Sequence, residues 1–320
     1  MLNLQRKQKV VVVLLVAMVL LLSLAGCGGE KGSQGQEQPK QETPKSETFK
    51  IGTQGYTEVV ILGEMVKALI EANTPHKVQH VSNLGTSLAS HEATVRGELH
   101  INTTFTGTVF LGLLEQKLTD EYRDPDKVYQ FVKKAFQEKY NLYAFAPYGY
   151  NNTYAIAVPR KWAEENNVAK ISDLKPFAPN MTIGVDHSWK SYPGQGYKEF
   201  TELYGFEFKR VPEMDFGLMY RAISKGEIDA ICAYSTDGQL LAHNLLVLED
   251  DKGFNPPYNG ILVARMDMLA KHPEVKELLQ KLEGLIDTEQ MQQLNKLVAV
   301  DEKMPTEVAT NFLREKGLIK

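Results

Sequence analysis

Residues 96–108, RGELHINTTFTGT, and residues 225–238, KGEIDAICAYSTDG, carry one pattern twice and decide the fold. Each stretch opens with a basic residue and a Gly-Glu pair, and its eighth residue after the glycine is aromatic. A helical pattern ends at each glycine, and the apolar run that follows is typical of a buried strand. Such self-similarity predicts two lobes of related architecture. The alternative is a coincidence between short strings.

Strand and helix patterns alternate around both stretches. In the first half, the strand Phe49–Gly52 is followed by a helix from Thr57 to Asn73, the strand Lys77–Val81 and a helix at Thr86–Arg96. In the second half, the pattern restarts with a strand at Met181–Val185 and a helix at Phe216–Lys225. This order predicts an α/β class in which each lobe is an open sheet with flanking helices. Ligands of such sheets bind at the carboxyl ends of strands, so the two lobes can close on one small molecule.

The lobe boundaries are predicted from two segments that mix Pro, Gly and Asn with apolar runs, Tyr148–Val158 and Tyr258–Ala264. Lobe 1 then comprises residues 49–152 and 258–320, and lobe 2 comprises residues 153–257. Apolar residues recur at helical spacing in residues 273–320, which we expect to pack on lobe 1.

The overall composition is that of an ordinary globular protein. The chain has 320 residues, of which 43% are hydrophobic and 24% charged. Its formal net charge is −4 at pH 7, which argues against a nucleic-acid partner bound through a basic surface.

The N-terminal residues predict export and lipid anchoring. Basic residues at positions 6, 7 and 9 precede an apolar run, Val10–Leu22, that is short for a membrane span. Leu24-Ala25-Gly26-Cys27 follows and resembles the lipobox of bacterial lipoproteins. We therefore predict a signal peptide at residues 1–26, lipidation of Cys27, a flexible tether over 27–48, and a location on the extracytoplasmic face of the membrane. The alternative to a cleaved signal peptide is an uncleaved membrane anchor. The other cysteine, Cys232, is predicted to be a small core residue.

Sequence signatures of enzymes are lacking. The chain contains no HExxH, GxSxG, Gly-rich phosphate loop or CxxC motif. Asp186-His187-Ser188 contains the residue types of a catalytic triad, but sequence neighbours cannot adopt triad geometry. The 7 histidines show no metal-ligand spacing. We therefore predict a protein that is not an enzyme and has no metal site and no cofactor.

Tyrosine provides the positive signal for ligand binding. The chain has 14 Tyr against 2 Trp, and several tyrosines lie in Gly- or Pro-rich segments, such as Pro147–Tyr150 and Pro256–Tyr258. Aromatic faces attract quaternary ammonium cations, which make no hydrogen bonds, by about 0.5–2 kcal/mol per face. For any single tyrosine, ordinary packing within a lobe is the alternative.

Five ordered motifs extend this interpretation to a family. They are Ile51-Gly52 with Tyr56-Thr57-Glu58, Gly97-Glu98-Leu99 leading to Thr106-Gly107-Thr108, Asn152–Ala155, Ala233–Gly238 and Pro256–Tyr258. Together they resemble the substrate-binding lipoproteins of osmoprotectant ABC importers, the glycine betaine, carnitine and choline group. The resemblance covers residues 49–320. It implies a two-lobed periplasmic-binding-protein (venus-flytrap) fold, a small quaternary ammonium ligand, and a permease with its ATPase subunit as partners.

The resemblance also implies which residues form the aromatic cage. Motif by motif, the cage rings fall on Phe105, where the family usually has Tyr, and on Tyr154, Tyr234 and Tyr258. The backbone carbonyl of Asn152 is expected nearby. Phenylalanine keeps the π face, so the cage survives this change.

The part of the site that binds a carboxylate matches the family less well. A family threonine falls on Thr108, but the first basic position falls on Gln54 and the second on Tyr192, with Lys190 two residues away. Charge-assisted hydrogen bonds are about twice as strong as neutral ones, so these departures favour choline over glycine betaine. His100 and Thr104 also replace residues that are commonly acidic in the family.

Three other functions stay open at this point. The same fold could bind a different small amine or an amino acid, as the missing basic residues suggest. An exported enzyme with a cleft between lobes is a second alternative. A sensor or adhesion lipoprotein that binds a protein partner is the third.

Overall fold

The computed structural model describes residues 46–191 and 195–320. The predicted signal peptide, Cys27 and all but the last three residues of the tether lie outside this part of the chain, as does Tyr192. Among the described residues, no helix combines the length and the apolar character that crossing a bilayer requires.

The strands form two separate sheets, each flanked by helices, which confirms the predicted two-lobed α/β class. The strands are β1 Thr48–Gly52, β2 Lys77–Val81, β3 Ile101–Phe105, β4 Leu142–Ala144, β5 Tyr154–Pro159, β6 Ile183–Gly184, β7 Ala230–Tyr234, β8 Leu245–Val247 and β9 Gly260–Arg265. The helices are α1 Thr57–Asn73, α2 Ser87–Val95, α3 Pro125–Tyr140, α4 Arg160–Asn166, α5 His187–Ser191, α6 Tyr197–Tyr204, α7 Phe216–Ser224, α8 Gly238–Ala242, α9 Met266–Lys271, α10 Pro273–Gln280, α11 Thr288–Ala299 and α12 Pro305–Glu315. The first sheet has the order β2-β1-β3-β9-β4 and the second the order β6-β7-β5-β8.

The repeated sequence pattern corresponds to the same local structure in both sheets. Gly97 and Gly226 end the preceding helices with φ angles of 81° and 71°, a left-handed conformation that glycine adopts at no steric cost. β3 then runs parallel to β1, and β7 runs parallel to β6. On its other side, β3 pairs antiparallel with β9, and β7 pairs antiparallel with β5.

Close packing explains the glycine at the end of each first strand. A Cβ atom at Gly52 would lie 2.3 Å from a methyl carbon of Leu99, and one at Gly184 would lie 2.9 Å from a methyl carbon of Ile228. Leu99 and Ile228 occupy the same place in the two repeats, so the sequence repeat reflects one packing solution used twice.

Helix α1 is the central packing element of the first sheet. Its apolar face contributes buried residues that pack with Phe49 and Ile51 of β1. The helix ends at Asn73 because Pro75 lacks the N–H that another turn would need, and the Thr74 N–H closes the last turn on the Ile70 carbonyl at 3.0 Å. α12 packs along α1, as expected for the C-terminal helices.

Helix α11 contacts elements of both sheets. Met291 and Leu294 belong to the core of the first sheet, whereas the same helix packs closely against α8, which follows β7. The expectation that residues 273–320 pack on lobe 1 therefore describes only part of the contact. A Cβ atom at Gly238 would lie 2.3 Å from the backbone nitrogen of Lys296 in α11.

The contact between α8 and α11 generates a stability prediction. Gly238→Ala places a methyl group against helix backbone, so we expect the free energy of unfolding to fall by about 1–3 kcal/mol, measured by chemical denaturation. Gly217→Ala is the matched control, because Gly217 is also helical and its added Cβ meets only the end of the Arg221 side chain at 3.6 Å. Equal stabilities of the two variants would contradict the packing argument.

Candidate functional site

A cavity of about 540 Å³ lies between the two sheets, near the carboxyl ends of β3 and β7. Five aromatic residues line its wall among the described residues: Tyr56, Phe105, Tyr154, Tyr234 and Tyr258. The structure thus brings all four predicted cage rings to one cavity, together with Thr108 and Asn152. Tyr56 is an additional ring that was not among the predicted cage residues.

Strand pairing positions two rings in the second sheet. Tyr154 and Tyr234 are directly paired residues of β5 and β7, so their side chains project from the same face. Their rings stack with centroids 4.9 Å apart, and the Phe216 ring lies 5.2 Å from that of Tyr234. Tyr234 is 40% exposed, which leaves part of it accessible to a ligand. Burial raises the pKa of Tyr154, so its hydroxyl stays protonated.

The first sheet positions Phe105 and Tyr258 on the other side. Phe105 is the last residue of β3 and is buried, and Thr108 begins a π-helix at Thr108–Leu113. Gly107 lies between them because any side chain would collide with Tyr258: a Cβ atom there would come within 2.7 Å of its ring. The Thr-Gly-Thr motif therefore provides room for a ring.

Paired backbone segments join the two sheets beside the cavity. Asn151 and Asn259 form an isolated antiparallel bridge, and the Asn152 N–H donates to the Tyr258 carbonyl at 3.0 Å. The Ser235 hydroxyl donates to the Asn151 carbonyl at 2.7 Å, which ties the end of β7 to the same segment. These contacts fall at the two predicted crossings between lobes, whereas the residue bounds of the lobes stay a prediction.

Glu58 is a buried acid in the cavity wall that the sequence analysis did not select. It lies in the first turn of α1 and is 3% exposed. The side-chain amides of Asn152 and Asn295 donate to its two carboxylate oxygens, at 3.1 and 3.2 Å. Burial raises its pKa, an effect that these hydrogen bonds partly oppose. An acid in the motif Tyr56-Thr57-Glu58 was visible in the sequence, but its burial depends on Asn295, which lies 237 residues away.

The cavity wall also carries a second acid and no base among the described residues. Asp237 caps α8 through a hydrogen bond from the Gln239 N–H at 2.9 Å and accepts one from the Tyr220 hydroxyl at 2.8 Å. Burial raises its pKa as well. A wall of rings with acids and no bases has the chemistry to attract a cation.

The predicted carboxylate-binding residues are less well represented. Gln54 is buried but is not among the residues that line the cavity, and its amide donates weakly to the hydroxyls of Ser87 and Ser90 at 3.4 and 3.3 Å. Lys190 is engaged with Glu213 at 3.0 Å and does not line the cavity either. Tyr192 lies outside the described residues, although Gln195 nearby does line the wall. The ligand roles of Gln54 and Tyr192 stay predictions.

Possible metal ligands occur away from this cavity. His76, His272 and Glu274 bring their ligand atoms within 4.8 Å of one another, and none of these residues lines the cavity. Sequence spacing had predicted no metal site, because His76 is almost 200 residues from the other two. Cys232 is fully buried in the core of the second sheet, and burial raises the pKa of its thiol.

Comparisons with known proteins agree with this architecture. Residues 47–315 match the family described as the substrate-binding domain of an ABC-type glycine betaine transport system. The carnitine transport binding protein OpuCC of Listeria monocytogenes is 38% identical, over 95% of this chain and 94% of its own. A glycine-betaine-binding protein of Pseudomonas aeruginosa is 32% identical, over 86% and 90% of the respective chains. A crystal structure described as a glycine betaine/carnitine/choline ABC transporter superposes with a TM-score of 0.81 at 34% identity and covers 85% of this chain and 100% of its own.

The environment of Glu58 generates a prediction about pH. Its pKa is raised from 4.5 on folding, so the folded protein keeps this proton to higher pH than the unfolded chain. The contribution of Glu58 to stability is therefore fully present at pH values below the pKa that it has in the unfolded chain. This contribution is lost as pH rises through the pKa that it has in the folded protein. We expect the unfolding free energy of the natural protein, relative to Glu58→Gln, to fall as pH rises above the ordinary value of 4.5 and through the raised pKa of the folded state.

The Glu58→Gln variant suits this comparison because Asn152 can still pair with the new side chain. If the side-chain amide of Asn152 rotates by 180°, its oxygen can accept a hydrogen bond from the amide of the glutamine. The Oδ1 atom of Asn152 has no hydrogen-bond partner in the structure, so the flip costs none. Denaturant titrations of both proteins across this pH range measure the difference. A difference that rises with pH would mean that the pKa of Glu58 is lowered on folding.

Proposed function

The chain belongs to the family of substrate-binding domains of ABC-type glycine betaine transport systems, and on that premise we propose that it captures a quaternary ammonium osmoprotectant in an aromatic cage. The ligand class comprises choline, glycine betaine and carnitine, which share a trimethylammonium group. The cage consists of Phe105, Tyr154, Tyr234 and Tyr258, and the loaded protein delivers the ligand to a membrane permease driven by an ATPase.

The observation that carries this proposal is the composition of the cavity wall. It combines aromatic rings from both sheets with the acids Glu58 and Asp237, and it contains no basic side chain among the described residues. A trimethylammonium group offers no hydrogen-bond donor, so it gains from ring faces and from nearby negative charge rather than from paired acceptors.

The placement of the rings also supports ligand-driven closure. Phe105 belongs to the first sheet, whereas Tyr154 and Tyr234 belong to the second. A cation attracted to both walls binds more tightly when they approach, and a ligand shifts such an equilibrium only through this difference in affinity. The lobes that move are those predicted from the sequence, residues 49–152 with 258–320, and residues 153–257.

The neutral polar residues of the cavity wall favour choline within the ligand class. Thr108, Gln195 and Asn255 supply neutral polar groups, but a carboxylate there would meet no basic partner among the described lining residues. Neutral hydrogen bonds to a carboxylate are weaker than charge-assisted ones, and an acid of the wall, when ionised, would repel the carboxylate of the ligand. Choline has a hydroxyl in place of the carboxylate and escapes both penalties.

The remaining parts of the proposal rest on the N-terminal sequence. Lipidation of Cys27 would hold the protein at the extracytoplasmic face of the membrane, and residues 28–48 would let the folded part reach its permease. A different small amine or an amino acid is the alternative ligand. An enzyme or a protein-binding lipoprotein has less support, because the named relatives are binding proteins of transporters.

Calorimetric titration of the purified full chain with choline, glycine betaine and carnitine tests the ligand class. We expect saturable binding of choline, with a weaker affinity for glycine betaine because its carboxylate lacks a basic partner. Tight glycine betaine binding would show that neutral donors suffice. If folded, ligand-free protein binds none of the three, the quaternary ammonium assignment fails.

Replacement of one ring tests the cage itself. Tyr234→Leu removes a π face and should weaken choline binding about 2- to 30-fold, which corresponds to the loss of one cation–π contact. Tyr234→Phe is the matched control and should bind choline nearly as well, since the face is kept. Both residues are tolerated at a site that is 40% exposed. Equal affinities of the two variants would exclude a cation–π role for this ring.

A further inference from the structure

Two histidines and a glutamate converge at the end of the first sheet opposite the ligand cavity. His76 precedes β2 and Glu47 precedes β1, whereas the cavity lies beyond the carboxyl end of β3. His272 and Glu274 lie at the start of α10. The Oε1 atom of Glu274 lies 3.1 Å from Nε2 of His76 and 3.2 Å from Nδ1 of His272.

We propose that His76, His272 and Glu274 bind a divalent zinc-type metal ion. In a tetrahedral zinc site, ligand bonds of about 2.0–2.2 Å place the donor atoms about 3.3 Å from one another. The two separations from Glu274 agree with this spacing, and all three ligand atoms lie within 4.8 Å of one another. Two imidazole nitrogens and one carboxylate oxygen form a donor set suited to zinc rather than to calcium or magnesium, which prefer oxygen ligands alone. The fourth position is open to water.

The surroundings of His272 support this assignment independently. Its second ring nitrogen, Nε2, lies 3.3 Å from a carboxylate oxygen of Glu47. Metal-bound histidines nearly always donate their other N–H to a carboxylate, a carbonyl or water, which fixes the tautomer and strengthens the ligand. When an ion binds, Glu47 would accept from Nε2 of His272 and leave Nδ1, which lies 3.2 Å from Glu274 Oε1, to coordinate the ion.

The proton on His76 must move when the metal binds. In the structure, the Glu47 N–H donates to Nδ1 of His76 at 3.1 Å, so the neutral ring carries its proton on Nε2 and donates it to Glu274. Coordination through Nε2 requires the proton to transfer to Nδ1. The Glu47 N–H then loses its acceptor and turns to solvent. The loss of one such hydrogen bond is small beside the binding energy of a structural zinc ion.

Access and local charge are compatible with an ion. The three residues line a surface groove, in which the Glu274 side chain is 48% exposed while that of His76 is 4% exposed. The charged residues that line this groove besides the histidines are Glu47, Glu274, Glu277, Lys271 and Lys281. The acids outnumber the bases, and the ion would have a path from solvent to a largely buried pair of rings.

A metal at this position would join three segments that are distant in sequence. It would connect the start of β2 to α10 directly, and the start of β1 through Glu47. β1 begins where the predicted tether ends, so the ion would reinforce the point at which the anchored segment enters the folded part. We therefore expect zinc to raise thermal stability without changing the affinity for the ligand of the distant cavity.

Zinc titration of the purified full chain, carrying no histidine tag, tests the proposal. We expect one zinc ion per chain by calorimetry, and a cobalt absorption spectrum of tetrahedral type at the same stoichiometry. His272→Gln and Glu274→Gln should each weaken zinc binding by more than about tenfold. His187→Ala is the matched control, since His187 pairs with Glu213 at 2.7 Å on the surface far along the chain.

The control variant should bind zinc as the natural protein does. The proposal is overturned if no equivalent of zinc binds, or if His272→Gln and Glu274→Gln bind it as tightly as His187→Ala. Choline titration of the same samples separates this proposal from the ligand assignment, because the two sites share no residue.

Discussion

Glu58 accepts hydrogen bonds from the amides of Asn152 and Asn295, and these three residues belong to α1, to a connecting segment and to α11. A buried carboxylate must have such partners, because an ionised group without them costs several kcal/mol. The Asn295 amide also donates to the Thr236 carbonyl at 2.8 Å, just after β7. One acid thus ties together elements of both sheets at the edge of the cavity. Glu58, Asn152 and Asn295 line the same cavity as the rings.

The two sheets have the same local packing where they approach this junction. In each sheet a glycine ends a helix, an aliphatic residue packs on the glycine of the first strand, and the paired strand leads to an aromatic residue. Parallel strands place their carboxyl ends at one edge, so Phe105 and Tyr234 arrive at edges that face each other. The cavity is therefore a consequence of the repeat.

The sequence predicted the parts of the site that local patterns encode. Phe105 and Tyr234 end strands, Tyr154 begins one and Tyr258 follows a proline pair. Their places could therefore be read from strand ends and family motifs. Glu58 could not be selected, because an acid in a first helical turn is ordinarily exposed and only Asn295 makes its burial tolerable. His76 and His272 likewise meet through the register of β1 and β2 and the docking of α10. Long-range packing of this kind leaves no periodic signal in the chain.

The wall that we propose binds a quaternary ammonium group would discriminate against a primary one. A primary ammonium group brings three N–H donors that must be paired when water is removed, and ring faces accept poorly. Both oxygens of Glu58 already receive amide donors, and Asp237 already accepts from Gln239 and Tyr220. Donors of the protein therefore already occupy acceptor positions on both acids. A methylated cation makes no hydrogen bonds with water, so it loses little hydration on entering such a cavity. It gains contact with the ring faces.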